Sequence, residues 1–123
     1  MSKHTALALV SIVVLGAGCA TGADPKIRVE IGSKLDGAKV PIQACYQKSL
    51  TTNRKLRGMY VVQFAAAADT GKFVDISLRR DEPADPVLRF CVIQEIAKLG
   101  LAKPPGKRIE VASAPIKFEW ANP

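Results

Sequence analysis

The N-terminal apolar segment constrains this chain most, because it decides the compartment in which the rest of the sequence folds. Lys3 supplies an early positive charge, residues 6–15 are apolar, and the small residues 16–18 stand directly before Cys19. That order is typical of an export signal. The pattern predicts that residues 1–18 are a signal peptide and that the remainder of the chain works outside the cytoplasm.

The residues around Cys19 resemble the lipobox of bacterial lipoproteins. The matching stretch is Leu15-Gly16-Ala17-Gly18-Cys19-Ala20, and it departs from the usual pattern at Gly16, where an aliphatic residue is common. The resemblance implies that Cys19 carries lipid and becomes the N-terminus. Because Ala20 and Thr21, directly after the cysteine, include no aspartate, the resemblance also implies the outer membrane, with the protein facing the periplasm. Each buried methylene of such an anchor adds about 0.8 kcal/mol of membrane affinity.

Two other interpretations of the N-terminus remain open. Small residues before Ala20 and Ala23 also fit an ordinary signal peptide cut after either position, which would give a soluble periplasmic protein. An uncleaved transmembrane helix is the third interpretation. The apolar stretch over residues 5–20 is shorter than the roughly 20 residues that a bilayer span needs, so the transmembrane helix is the weakest of the three interpretations.

The cysteine count supports export. If Cys19 carries lipid, Cys45 and Cys91 remain as an even pair in an oxidising compartment, and we expect them to form a disulfide bond. Two buried free thiols on helix faces are the alternative. A redox site normally uses Cys-x-x-Cys and a metal site needs more ligands, so neither is expected.

Hydrophobic spacing predicts one domain after a short tether. Residues 19–38 are expected to be a tether with a short strand, since Ile27, Val29 and Ile31 alternate with charged residues before a turn-rich stretch at residues 32–37. Residues 39–120 are expected to form the folded domain.

Within the domain, the apolar spacing predicts a first helix over residues 41–50 and a second over residues 86–99, where Asp85 is the expected N-cap. Between the two helices, residues 59–79 are expected to form a β-hairpin around a turn at residues 69–72.

The second strand of that hairpin is expected to direct Val74, Ile76 and Leu78 to one face.

A last strand over residues 108–120 is expected to turn Ile116, Phe118 and Trp120 inward. The natural packing for this order of elements is a small antiparallel sheet covered on one face by two helices, which is an α+β fold.

These elements resemble the C-terminal domain of TonB-type proteins, in the cysteine-containing version known from myxobacterial gliding proteins, the AgmX/PglI C-terminal type. The resemblance covers residues 39–120 and rests on spaced hydrophobic residues, a cysteine pair and a proline pair: Ile42-x-x-Cys45-Tyr46, Gly58 to Phe64, Gly71, Leu88-x-x-Cys91-Val92 with Ile96, Pro104-Pro105-x-Lys107 and Pro115-x-x-Phe118. It implies a periplasmic interaction domain that pairs with a strand of a partner protein. The strand that carries Ile116, Phe118 and Trp120 would be the partner-binding strand.

The chain departs from TonB proteins in its N-terminal part. Energy transducers have a transmembrane anchor and a long proline-rich spacer, whereas here a few residues separate Cys19 from the domain. The chain could therefore not transmit force from the inner membrane by itself. Pro115 lacks an N–H group and would weaken the last strand as a docking edge.

The sequence offers little catalytic chemistry. The one histidine, His4, lies in the predicted signal, so nucleophilic systems that use histidine and His-containing zinc sites are not expected. Asp81, Glu82 and Asp85 are close in sequence but stand among prolines, where turn and capping roles are expected. No catalytic residue, cofactor or metal is predicted.

The chain is basic, with a formal net charge of +7. The basic residues are not interleaved with stacking aromatics, so a nucleic-acid partner is not expected. We expect a non-enzymatic cell-envelope lipoprotein that binds an unidentified envelope protein and contacts the membrane through its lipid. A basic scaffold that binds peptidoglycan or an outer-membrane machine is the alternative, and a small periplasmic enzyme is the third and weakest possibility.

Overall fold

The computed structural model describes the backbone of residues 7–12, 20–21 and 24–121 and the side chains of residues 24–119. The elements, numbered in chain order, are β1 (Leu7–Ile12), β2 (Ala20–Thr21), α1 (Pro25–Gly37), α2 (Lys39–Leu50), β3 (Gly58–Ala66), β4 (Phe73–Asp81), α3 (Pro86–Ala97) and β5 (Ile109–Ala121). The strands form one antiparallel sheet in the order β1-β5-β3-β4, and β2 also pairs with β5. The predicted α+β fold, a small antiparallel sheet with the two expected helices α2 and α3, is confirmed.

Helix α1 occupies the segment in which the sequence predicted a short strand and a turn, and that prediction is wrong. The Asp24 side chain accepts a hydrogen bond from the backbone N–H of Lys26 and caps the helix, which starts with a proline. Ile31 and Leu35 are four residues apart and both are buried, whereas Val29 is 73% exposed. The four-residue spacing of Ile31 and Leu35 therefore decides the structure here, and not the alternation of apolar and charged residues at 27–31. Regular structure consequently begins well before residue 38.

The two predicted helices have sequence-encoded starts and buried stripes. In α3, the Asp85 carboxylate accepts the N–H of Leu88 at 3.0 Å, which is the expected N-cap. Leu88, Val92 and Ile96 form its fully buried face. Helix α2 buries Ile42, Cys45, Tyr46 and Ser49 in the same way.

Strands β3 and β4 form the expected hairpin, but a bulge changes which side chains of β4 face the helices. Ala65 pairs with Val74 and Gln63 pairs with Ser77, so two residues of β4 lie opposite Phe64 alone. One of them is Asp75, which has a φ of 54°, a value that aspartate tolerates better than most residues. Phe73, Ile76 and Leu78 consequently pack with the core, whereas Val74 does not, contrary to the expected alternation.

The core lies between the helices and one face of the sheet. Its largest buried side chains come from α1, α2, α3, β3 and β5, namely Leu35, Ile42, Tyr46, Tyr60, Val62, Leu88, Val92, Ile96, Ile109, Val111, Ile116 and Phe118. The opposite face of the sheet carries polar side chains, for example Gln63, which donates a hydrogen bond to Ser77. An antiparallel sheet with one covered face has this inside-outside division.

A disulfide bond joins Cys45 in α2 to Cys91 in α3, as predicted. The two Cα atoms are 5.8 Å apart and the cysteines are separated by 46 positions in the sequence. Closing a loop of this size in the unfolded chain is worth about 4 kcal/mol in the chain-entropy model. The bond therefore ties together the two helices that cover the sheet.

Replacing both cysteines should destabilise the fold without changing its topology. We expect the double variant Cys45→Ala/Cys91→Ala to lose about 2–4 kcal/mol of unfolding free energy in urea titration. Wild-type protein treated with a reductant is the control and should fall to a similar value. A double variant within about 0.5 kcal/mol of the oxidised wild type would contradict a stabilising role for the bond.

Candidate strand-docking edge

Strand β5 is the central strand from which the candidate site is built. Its inner edge pairs with β3, from Phe118 opposite Gly58 to Ile109 opposite Ala66. The register contains one irregularity. Val62 pairs with Ala114 and Phe64 with Val111, which leaves two residues of β5 opposite one of β3.

The outer edge of β5 pairs with the N-terminal part of the chain. β1 runs antiparallel to residues 116–121, from Ile12 opposite Ile116 to Leu7 opposite Ala121. β2 adds Ala20 opposite Val111. Within the described residues, no other strand lies on this edge. The segments that cover it are the ones that the sequence assigns to the export signal and to the start of the tether.

The structure places the predicted partner-binding residues in the core. Ile116 and Phe118 are each 1% exposed, and the side chain of Trp120 lies outside the described residues. The ring of Phe118 contacts Tyr46 of α2 and Tyr60 of β3, with centroid separations of 5.1 and 5.0 Å. These side chains therefore fix β5 against the helices, and what the strand can offer to a partner is its outer backbone edge.

The side chain of Arg79, on β4, reaches across β3 and stabilises the bulge of β5. Its guanidinium donates a hydrogen bond of 3.2 Å to the backbone carbonyl of Ala112, one of the two residues opposite Gln63. The donor comes from β4 and the acceptor from β5, so the contact spans the hairpin strand β3. It satisfies a carbonyl group that the bulge removes from the regular ladder.

Arg108 forms a second polar contact on the same face. It pairs with Asp75 at the bulge of β4, with 2.8 Å between Nη2 and Oδ2, and also with Glu110. The carboxylates of Glu110 and Asp75 raise the pKa of Arg108. All three side chains are exposed, so the contacts orient the start of β5 more than they stabilise the fold.

At the other end of the sheet, Glu82 holds the first residues of β3. Its carboxylate accepts the N–H of Met59 at 2.8 Å and pairs with Arg80, and these contacts lower the pKa of Glu82. Gly58 has a φ of 133°, and a Cβ atom there would come within 2.7 Å of the Cβ of Glu82. Glycine is therefore required where β3 begins beside the C-terminal half of β5.

A shallow surface cleft of about 330 Å³ opens next to this end of β5. Its lining residues carry both signs of charge and include Arg57, Glu82, Lys117 and Glu119. Lys117 and Glu119 form an ion pair of 3.3 Å on β5 itself. The cleft gives the C-terminal half of the strand a polar border.

Two of the three clustered carboxylates have the predicted turn and capping contacts, whereas the third, Glu82, bonds to a residue that is distant in the sequence. Asp81 accepts the N–H of Ala84 at 2.9 Å, Asp85 caps α3, and Glu82 holds Met59. Within residues 24–119, no cluster of three histidine, cysteine, aspartate or glutamate side chains could hold a metal ion.

The predicted lipid attachment site, Cys19, lies outside the described residues. Among the helices that the structure describes, none combines the length and apolarity needed to cross a bilayer.

The sequence pattern did not indicate the bulge residue Asp75, the contact of Arg79 with Ala112 or the pairing of Leu7–Ile12 with β5. The bulges depend on which residues face each other across strands, which hydrophobic periodicity does not report. For β1, the β-branched Val10 and Ile12 were a usable signal, because such residues favour strands, but the export pattern of the same segment took precedence.

The two buried tyrosines beside Phe118 should respond oppositely to removal of the hydroxyl group. The Tyr46 hydroxyl donates to the backbone carbonyl of Leu56 at 2.6 Å, whereas that of Tyr60 has no hydrogen-bond partner among the described residues. We expect Tyr46→Phe to lose about 1 kcal/mol of unfolding free energy, and Tyr60→Phe to lose none or gain up to about 1 kcal/mol. Equal losses in urea titration would contradict this assignment.

The same tyrosines should make stability depend on alkaline pH. Burial raises the pKa of both, and Asp81 contributes further at Tyr60. Because the folded state retains these protons more tightly than the unfolded chain, their contribution is complete below about pH 10 and declines as the pH rises above it. Tyr60→Phe should lose less stability than wild type between about pH 10 and 11, and identical pH profiles would contradict the role of Tyr60.

Comparisons with known proteins give no relative for this chain. No protein-family model, no curated protein and no solved structure matches it.

Proposed function

We propose that this protein is a non-enzymatic cell-envelope lipoprotein that binds another envelope protein by accepting a strand of that protein on the outer edge of β5. In this proposal Cys19 carries lipid and anchors the chain in the outer membrane, facing the periplasm. The resemblance of residues 39–120 to TonB C-terminal domains supports the binding mode, because those domains pair with a partner strand.

The observation that carries the proposal is the identity of the strand on that edge. β1 pairs with residues 116–121 of β5 and consists of residues predicted to be cut off with the signal. After cleavage before Cys19, the N–H and C=O groups that β1 satisfied would be left without a strand partner. Such an edge is a template for pairing with another chain.

The framework behind the edge is held by contacts that do not involve β1. β3 pairs with the inner edge of β5 and with β4, and the disulfide ties α2 to α3. The ring contacts of Phe118 with Tyr46 and Tyr60 also lie within the domain. Loss of β1 therefore leaves the interactions that position β5.

The position of β2 would place the membrane anchor near the docking edge. Ala20, the residue that follows the proposed lipid attachment site in the sequence, lies opposite Val111. A length of roughly 17 Å along β5 separates Val111 from Ile116, where the β1 pairing begins. A partner strand at residues 116–121 would thus bind close to the lipid, which favours a partner at the membrane surface.

Fewer observations support the alternative function, a basic scaffold. Arg54, Lys55 and Arg57 are exposed in the loop before β3 and could attract an acidic cell-wall polymer. Arg79 and Arg108, by contrast, are engaged in contacts within the sheet. Binding through the loop would weaken as the salt concentration rises. Strand pairing relies on the backbone hydrogen bonds of β5 and should depend less on salt, so a salt titration separates the two modes of binding.

A photoreactive residue beside the docking edge should capture the partner. Lys117 is half-exposed and lies opposite Ser11 of β1, so a partner strand that replaces β1 would lie about 5 Å away between Cβ atoms. We expect a photo-crosslinking amino acid at position 117 to give one discrete protein adduct in intact cells. The measurement is mass spectrometry of the crosslinked band.

Position 98 is the matched control. Lys98, like Lys117, is an exposed lysine in an ion pair with a nearby glutamate, but it lies at the end of α3. Replacing either lysine removes only an exposed ion pair, so each variant should lose little unfolding free energy. No adduct at position 117, or the same adduct at both positions, would contradict binding at the edge of β5.

A further inference from the structure

β1 lies in a slot with two sides. One side is the outer backbone edge of β5, to which all six residues of Leu7–Ile12 are paired in register. The other is α2, which also contacts β1. A strand in this slot therefore meets a helix as well as the edge of the sheet.

The register defines which positions of the occupant meet the helix layer. Val10 lies opposite Phe118 and Ile12 lies opposite Ile116, and both β5 side chains are buried on the helix-covered face. Directly paired residues of antiparallel strands share a face, so positions 10 and 12 belong to the covered face. Leu9 pairs with the half-buried Glu119 on the other face, where polar residues are tolerated.

We infer that β1 is an internal occupant of the partner site, and that the slot takes an extended antiparallel segment with apolar residues at the positions of Val10 and Ile12. The inference rests on the proposed function for the existence of a partner. It adds that the chain blocks its own docking edge while residues 7–12 are attached, and that their removal turns binding on.

β1 blocks the docking edge effectively because it is part of the same chain. A covalently attached strand competes at an effective concentration in the millimolar range, so a partner at micromolar concentration would not displace it. Once β1 is cut off, that competition ends. The change from blocked to open needs no rearrangement of β3, β4 or the helices.

The test uses the full oxidised chain and a labelled peptide with the sequence of Leu7–Ile12, flanked by lysines for solubility. The double variant Ala8→Pro/Leu9→Pro opens the slot, because the N–H groups of successive strand residues point to opposite sides and one of the two must face β5. The control Ala8→Val/Leu9→Val keeps both N–H groups and the strand preference. Circular dichroism and the thiol count establish that each variant is folded and oxidised.

Fluorescence anisotropy should show saturable peptide binding to the proline variant, and binding at least tenfold weaker to wild type and to the valine control. A peptide carrying Val10→Asn should bind the proline variant at least tenfold more weakly than the parent peptide, because it buries an amide, whereas one carrying Leu9→Asn should bind within about threefold of the parent. Equal binding to all three proteins, or equal effects of the two asparagines, would overturn the inference.

Hydrogen exchange separates failure of this inference from failure of the proposed function. The backbone amides of residues 116–121 that face β1 should be protected in wild type and should exchange faster in the proline variant. Identical exchange in both proteins would show that β1 does not block the edge. That result would leave the crosslinking result at position 117 unaffected.

Discussion

The pairing of β5 with β3 is the interaction on which the rest of the structure depends. β5 stands between the hairpin on one side and the N-terminal strands on the other, and its inward side chains include Phe118, which joins Tyr46 of α2 to Tyr60 of β3. The bulge opposite Gln63 inserts one extra residue, so the residues before and after it both turn apolar side chains to the helices. Without the bulge, one half of β5 would face the wrong side.

The predictable parts of the fold are those encoded by local spacing and composition. The hairpin, α3 with its Asp85 cap and the Cys45–Cys91 bond follow from alternation, N-cap chemistry and the cysteine count. The strand expected at Ile27 is instead part of α1, because Leu35 completes a helical stripe that a short window does not include. The face of Val74 depended on a bulge set by cross-strand register, which is a tertiary property.

The candidate site was predicted in part. The sequence and the TonB resemblance indicated the last strand and its inward residues, and Ile116 and Phe118 are indeed buried. The sequence could not show that those side chains are unavailable to a partner. It also could not show that the outer backbone edge pairs with residues 7–12, since long-range strand pairing is not readable from local pattern. In the proposed function, the segment that directs export also covers the outer edge of β5, and its cleavage after export would expose that edge.

Whether the protein in the cell still carries β1 can be read from its intact mass, measured on protein from native membranes with alkylation before and after reduction. We expect a chain that begins at Cys19 with a lipid increment and has two thiols that alkylate only after reduction. Such a protein lacks β1, so its docking edge is open. A mass that retains residues 1–18 would contradict the proposed function, because β1 would then still cover the edge that a partner is proposed to bind.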